Sequence, residues 1–286
     1  MTSTEDCEIT FCMPTLQRIP WLKRSLLSIE RYCSTSHAIR VLTQGPPKRE
    51  LVTFMKSLPN AELLTSSTNI GCGAARGILS SGVASDFVMM IDDDTYLTEN
   101  TITQALSALR RDRRVGAVSM PHYDLNGRMM STGGKNFTIR NGVILRRRAS
   151  LDLEVDPVEV DDLDGTMLYK TEMQKSFSWD PNLFVLEDID RSLQVMRSGE
   201  WKQAIAPKAK VIHDRSWVED PSSENERSNG LIWRRSYRSF RSKWGLRFNL
   251  RAHLLLEAVF PALTLMRFGW AMSTLNKLAI NRFAST

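Results

Sequence analysis

Short apolar runs alternate with amphipathic segments through the first 120 residues, and this alternation constrains the fold more than any other feature of the chain. Residues 8–13 read as a strand ending at Pro14. Pro20 then sits at a helix start, with Leu22, Leu26 and Ile29 at helical spacing behind it. Residues 38–43 read as a second strand, 51–58 as a short helix, 61–65 as a strand and 71–83 as a helix rich in small residues. Residues 86–91 form the most apolar strand of this half and run straight into Asp92-Asp93-Asp94; a helix over 101–111 and a strand over 115–120 follow. Repeated βα units predict an α/β fold with a mostly parallel central sheet flanked by helices. Residues 122–162, punctuated by Gly127, Gly133, Gly134 and Gly142, read as hairpins and a loop inserted at one edge of the sheet. Regular elements return at 166–169 (strand), 171–177 (helix), 187–198 (helix, stopped by Gly199) and 204–212 (strand).

The chain has 286 residues, 42% hydrophobic and 24% charged, the composition of a globular protein rather than a disordered or multi-span membrane one. Its four cysteines form no CxxC pair, which points to a reducing compartment and away from a zinc ribbon or disulfide scaffold. The acidic first residues lack the basic and apolar regions of a secretory signal, so a cytoplasmic location is expected. The net charge of +6 is unevenly spread. Residues 227–286 hold eleven Lys/Arg and one acid, Glu257, for +10, while residues 1–226 carry −4. The expected organisation is a catalytic domain over 1–220 and a helical, basic, amphipathic extension over 227–286.

Chemistry concentrates in four places. Three adjacent carboxylates, Asp92-Asp93-Asp94, repel one another unless a cation accompanies them, and open α/β sheets bind ligands beyond the carboxyl ends of their strands. Hard oxygen ligands there suit Mg²⁺ or Mn²⁺ on a diphosphate; the ordinary alternative is a solvated, helix-capping loop. Glu187-Asp188-Ile189-Asp190 opens a helix, where acids complement the helix dipole and where one carboxylate could also serve as a general base. His213 ends the last strand of the body. The run from Asn69 to Gly77 is small-residue rich, lets a backbone approach a ligand, and contains Arg76, suited to a phosphate or base.

The order of these blocks resembles the family 2 inverting glycosyltransferases of the GT-A fold. The resemblance runs over residues 8–216: Ile9-Thr10-Phe11-Cys12-Met13-Pro14-Thr15; Asn69-x-Gly71 through Arg76-Gly77; the strand into Asp92-Asp93-Asp94; Asp164-Gly165-Thr166; Phe184 to Asp190; and Ala206 to His213. It implies that Pro14 and Thr15 line the nucleotide pocket and that Asn69, Gly71, Arg76 and Asp93 help hold the nucleotide sugar. It further implies that Asp92 faces the ribose, that Asp94 and His213 hold a divalent cation, and that Asp188 is the catalytic base. Gln44 stands where the family commonly has an acidic pair beside the nucleobase; it both donates and accepts hydrogen bonds, so the base stays open. The implied reaction moves a sugar from a UDP-, dTDP- or GDP-sugar to a hydroxyl of a glycan or lipid-linked acceptor with inversion, in cell-surface polysaccharide or glycolipid synthesis. Two other readings compete. A nucleotidyltransferase would need a glycine-rich basic loop after Met13, which is missing. A nucleic-acid-binding protein would use the basic tail, but the acidic body opposes it, so no nucleic acid is expected.

In the tail, Trp233, Tyr237, Phe240, Trp244 and Phe248 share one helical face, with Arg234, Arg235, Arg238, Arg241 and Lys243 around them. The later apolar stretches are interrupted by charge before the roughly 20 residues needed to span a bilayer. Two readings remain at this point: a peripheral membrane-surface helix, or an aromatic face packed on the body.

Overall fold

The computed structural model describes residues 7–216 and 230–248. The first half runs β1 (Ile9–Thr15), α1 (Ile19–Tyr32), β2 (His37–Gln44), α2 (Arg49–Ser57), β3 (Ala61–Ser66), α3 (Cys72–Ser80), β4 (Phe87–Met90), β5 (Thr95–Leu97), α4 (Thr101–Arg111) and β6 (Val115–Ser119). The insertion contributes β7 (His122–Tyr123), β8 (Met129–Ser131), β9 (Gly134–Arg140), β10 (Val143–Arg148), β11 (Val158–Val160) and β12 (Asp162–Leu163). The chain continues with β13 (Met167–Lys170), α5 (Thr171–Ser176), α6 (Glu187–Ser198), β14 (Lys202–Ile205), β15 (Val211–His213) and α7 (Gly230–Trp244).

The main sheet has the order β11-β14-β6-β13-β4-β1-β2-β3. β4, β1, β2 and β3 are parallel, as are β14 and β6, while β13 is antiparallel to both its neighbours and β11 to β14. The carboxyl ends of β1, β2 and β4 and the amino end of β13 therefore lie along one edge, which gathers distant segments of sequence. Both faces of the sheet are covered at its centre, so β1, β4 and β6 are buried at every position and mostly apolar. Along β1 and β4, Ile9, Phe11, Met13, Phe87 and Met89 pack with Leu22, Leu26, Leu51, Met55, Leu106 and Leu109 of α1, α2 and α4. Cys12, Val88 and Met90 point the other way, toward Ala75 and Leu79 of α3, Met173 of α5 and Val195 of α6.

The expected strand over 204–212 is two strands in two sheets. β14 pairs with β6 in the main sheet, and β15 joins the small sheet β5-β15-β7-β8. Between them Ala209 N–H donates to the Ala206 carbonyl in a turn that includes Pro207, which has no amide hydrogen for a ladder. The first strand does not stop at Pro14 but runs through Thr15; its pairing with β4 ends at Cys12, so Pro14 is paired on the β2 side alone.

The aromatic face of α7 packs on the body. Phe240 joins Ile144, Leu183, Ile189 and Leu193, and Tyr237 lies against Leu186, Trp233 and Phe248. Phe184 N–H donates to Ser236 Oγ at 3.1 Å, and Arg247 N–H donates to the Gly142 carbonyl at 2.8 Å at the end of the β9–β10 hairpin. Arg235, Arg238 and Arg241 face outward. Among the described residues no helix is long and apolar enough to cross a membrane.

If this face is part of the core, Phe240→Ala lowers the free energy of urea unfolding by about 3–5 kcal/mol. Arg241→Ala, on the outer side of the same helix, changes it by less than about 0.5 kcal/mol. Equal, small effects would show that the helix contributes little to the folded body.

Candidate active site at the carboxyl edge of the sheet

Asp92-Asp93-Asp94 leave β4 at this edge, where Asp93 and Asp94 are almost wholly buried. Two arginines accompany them. Arg18, at the N-terminal end of α1, donates Nη1 to Asp94 Oδ2 at 3.1 Å and Nη2 to Asp93 Oδ1. Thr15, the last residue of β1, donates its hydroxyl to the other Asp93 oxygen at 2.6 Å. Burial, opposed by Arg18 and reinforced by Asp94, pushes the Asp93 carboxyl up to about 6. Arg76, on α3 and only 2% exposed, donates Nη1 to Asp188 and Nη2 to Asp92 Oδ1 at 3.3 Å, with Glu187 Oε1 3.7 Å away and the Trp179 ring beneath it.

His213 reaches Asp94 because β15 pairs with β5 so that His213 lies opposite Thr95, and because Asp214 N–H donates to the Asp94 carbonyl at 2.8 Å. Its Nε2 is 3.4 Å from Asp94 Oδ1. Behind it stands His122, ring centroids 5.8 Å apart. Burial and the neighbouring His213 push His122 down to about 4, so it is neutral at pH 7 and its Nε2 accepts the Thr166 N–H. Gly165 is glycine for this ring: a Cβ there would lie 2.4 Å from His122.

Asp188 heads α6 with its side chain 27% exposed. Burial pushes its carboxyl up to about 7, Arg76 opposes this, and Glu187 adds to it. Both acids face Arg76, and Glu187 Cβ lies 3.0 Å from where a Cβ on Gly73 would be. Leu186, with a left-handed backbone (φ +74°), precedes the pair and starts α6.

Beyond the carboxyl end of β2, Gln44 Oε1 accepts from Ile70 N–H at 2.9 Å and Asn69 Oδ1 accepts from Gly71 N–H at 3.0 Å, so these two side chains hold the loop before α3. Pro14 is buried in β1 beside β2. The geometry thus brings Thr15, Asp92, Asp93, Asp94 and His213 together, and adds Asp188 through Arg76. Glu187 belongs to the same cluster, and so do Arg18 and Trp179, which the sequence does not single out; an arginine four residues after Pro14 carries no motif of its own.

Among the described residues no group of three or more His, Cys, Asp and Glu side chains is arranged to hold a metal by itself. Asp94 Oδ1 and His213 Nε2 do face one another; the carboxylate oxygen is of the kind that Mn²⁺ and Mg²⁺ sites combine with phosphate and water oxygens, and the imidazole nitrogen is a second potential ligand beside it.

The family model for "Glycosyl transferase family 2" matches residues 10–167, more than half of the chain. No curated protein matches significantly. Solved structures of similar fold include GalNAc-T7 with UDP, GalNAc and Mn²⁺, at 12% identity and TM-score 0.61, covering 90% of this chain and 58% of that one. They also include S. aureus TarS 1-349 in complex with UDP-GlcNAc, at 14% identity and TM-score 0.57, covering 82% of this chain and 66% of that one. The chain spans only about 58–66% of the length of these neighbours. At such identities the likeness is one of fold, the GT-A fold.

Gly71 is where the loop, α3 and the residues before α6 come closest. Its φ is +84°, and a Cβ would lie 2.7 Å from Phe184 Cδ2 and 3.1 Å from Phe184 Cα. Gly71→Ala should therefore lower stability by about 2–4 kcal/mol in urea unfolding. Gly82→Ala, also at positive φ but with nothing within 4 Å, should lose about 1–2 kcal/mol. Equal losses would mean that Phe184 gives way freely.

Proposed function

The chain belongs to glycosyl transferase family 2, and from that premise we propose that it transfers a sugar from a nucleoside-diphosphate donor to an acceptor hydroxyl by a single displacement with inversion. The observation that carries this reading is the placement of Asp188 and the Asp92–Asp94 cluster at one edge, joined through Arg76. The donor would lie over that edge, with Thr15, Gln44, Asn69 and Gly71 toward the nucleoside, Asp92 toward the ribose and Asp93 beneath. Arg76, nearly inaccessible, would reach the nucleotide only through Asp92. Asp94 and His213 would hold Mn²⁺ or Mg²⁺, which when bound neutralises the leaving diphosphate. The neighbours solved with UDP or UDP-GlcNAc make a UDP-sugar the first donor to test, before dTDP- and GDP-sugars.

In the reaction the acceptor oxygen bonds to the anomeric carbon, the bond from that carbon to the diphosphate oxygen breaks with its electron pair leaving on the diphosphate, and the hydroxyl proton passes to Asp188. A carboxyl held near 7 is a better base than an ordinary carboxylate and is still ionised at pH 8. Arg76 sets which Asp188 oxygen is occupied and leaves the other for the acceptor.

The acceptor would be a glycan or lipid-linked glycan in cell-surface polysaccharide or glycolipid synthesis, met at the cytoplasmic face of a membrane. The aromatics of α7 serve the body, so the exposed Arg235, Arg238 and Arg241 would make the contact by charge. Intact protein should then float with anionic liposomes at low salt and release as salt rises. Absence of binding at low salt would remove the membrane from the reading.

Donor use is tested by hydrolysis of a sugar-nucleotide panel with Mn²⁺ or Mg²⁺. The base is tested by Asp188→Asn, which should fold, bind donor and lose about 10²–10⁴-fold in transfer. Because the base acts when deprotonated, wild-type transfer should rise as pH passes through about 7 and fall away below it. The variant should lack that limb. A variant transferring at near wild-type rate would eliminate Asp188, and a product of retained configuration would eliminate the single displacement.

A further inference from the structure

Arg18 does more than neutralise its neighbours. The two oxygens of Asp94 face different groups: Oδ2 accepts from Arg18 Nη1 at 3.1 Å, while Oδ1 is 3.4 Å from His213 Nε2. The guanidinium and the cation side of the site thus share one carboxylate. Asp93 is held separately, by Arg18 and by the Thr15 hydroxyl. The backbone leading to Arg18 is fixed. Gln17 adopts φ +63°, its Nε2 donates to the Pro46 carbonyl at 2.9 Å, and its Oε1 accepts from Lys48 N–H at 2.7 Å. The Arg18 side chain, by contrast, is 24% exposed and extends from that anchor across the edge of the sheet.

A divalent cation approaching Asp94 and His213 meets a carboxylate already occupied by a like charge, which weakens its binding. A nucleoside diphosphate changes the balance. Its phosphate oxygens can take the planar fork of the guanidinium bidentately, whereas at this edge the fork is split between Asp93 and Asp94, and they carry more charge than one carboxylate. We infer that Arg18 couples the cation to the donor: on the protein alone it competes for Asp94, and a bound diphosphate draws it off, so that cation and donor bind as a unit. The inference rests on Asp94 and His213 being the cation site. By linkage the effect is reciprocal, so cation must tighten diphosphate binding by the same factor. The consequence is protection of the site, because free cation does not fill it ahead of the donor.

The experiment is Mn²⁺ binding followed by the electron paramagnetic resonance of free Mn²⁺, with and without UDP, on wild type, Arg18→Gln, Arg18→Lys and Asp94→Ala. UDP should tighten Mn²⁺ binding to wild type by about tenfold or more. Arg18→Gln should bind Mn²⁺ alone about tenfold more tightly than wild type, and the gain on adding UDP should shrink by a similar factor. Arg18→Lys replaces the fork by a point charge and should move both quantities the same way by less, which keeps the test open if the glutamine variant does not fold. Unchanged affinity for Mn²⁺ alone and an undiminished UDP gain in the folded variants would overturn the inference. Wild-type Mn²⁺ binding surviving in Asp94→Ala would instead overturn the cation site on which it rests.

Discussion

Everything at the functional edge depends on carboxylates that leave an apolar strand and stay buried. Moving a charge from water to a protein interior costs several kcal/mol unless partners compensate it. Here two guanidinium groups do so from two different helices. Arg18 comes from the start of α1 and holds Asp93 and Asp94; Arg76 comes from α3 and holds Asp92 and Asp188. Each arginine also ties its helix to the edge of the sheet, so the electrostatics and the packing support one another. The raised carboxyls of Asp93 and Asp188 follow from the same burial. Their cost falls on the folded state as pH rises from the unfolded carboxylate range toward 6–7, because the folded protein holds those protons more tightly than the unfolded chain.

The second dependence runs through α7. Asp190, two residues after Asp188, accepts from Trp244 Nε1 at 2.7 Å and from Lys243 Nζ at 2.9 Å. Ser236 Oγ accepts from the backbone of Phe184 and Val185, just before α6. The first turn of the helix that carries Asp188 is thus clamped from a segment more than 45 residues away. The basic aromatic helix is a brace for the site on its inner face and a row of arginines on its outer face, which reconciles its aromatic stripe with its charge.

The inserted hairpins supply a polar wall beside the same edge. Lys135 of β9 binds Asp164, and Arg146 of β10 donates Nε to Asp162 Oδ2 at 2.9 Å. Asp164 lies before Gly165, whose lack of a side chain admits the His122 ring, and so the wall, His122 and His213 stand in sequence behind Asp94.

Much of this was legible in the residues. Short apolar runs and 3.6-residue helical spacing located β1 to β4, β6 and α1 through α4 to within a few residues, because strands covered on both faces are apolar in runs and helices packed on them are apolar along one face; the three-residue β5 carries too little pattern to be read. The glycines of 122–162 marked the hairpins, and the acidic triplet after β4 stood out because nothing about an apolar strand requires it. The residues between 204 and 212 misled: two short apolar runs separated by Pro207 and Lys208 do not say which sheet each joins, and only the turn through Pro207 and the pairing of β15 with β5 bring His213 to Asp94. The same limit hid Arg18, which reads as an ordinary surface base, and the orientation of Glu187, which faces Arg76 together with Asp188. The sequence by itself determined the class of fold, the family and the kinds of groups at the carboxyl edge, since these follow from local periodicity and from chemically costly residue types. The tertiary structure alone decided which cation faces which carboxylate and that the aromatic stripe turns inward, because a side chain's partner is chosen by how separate elements pack and by the cost of leaving a buried charge or an aromatic face uncovered.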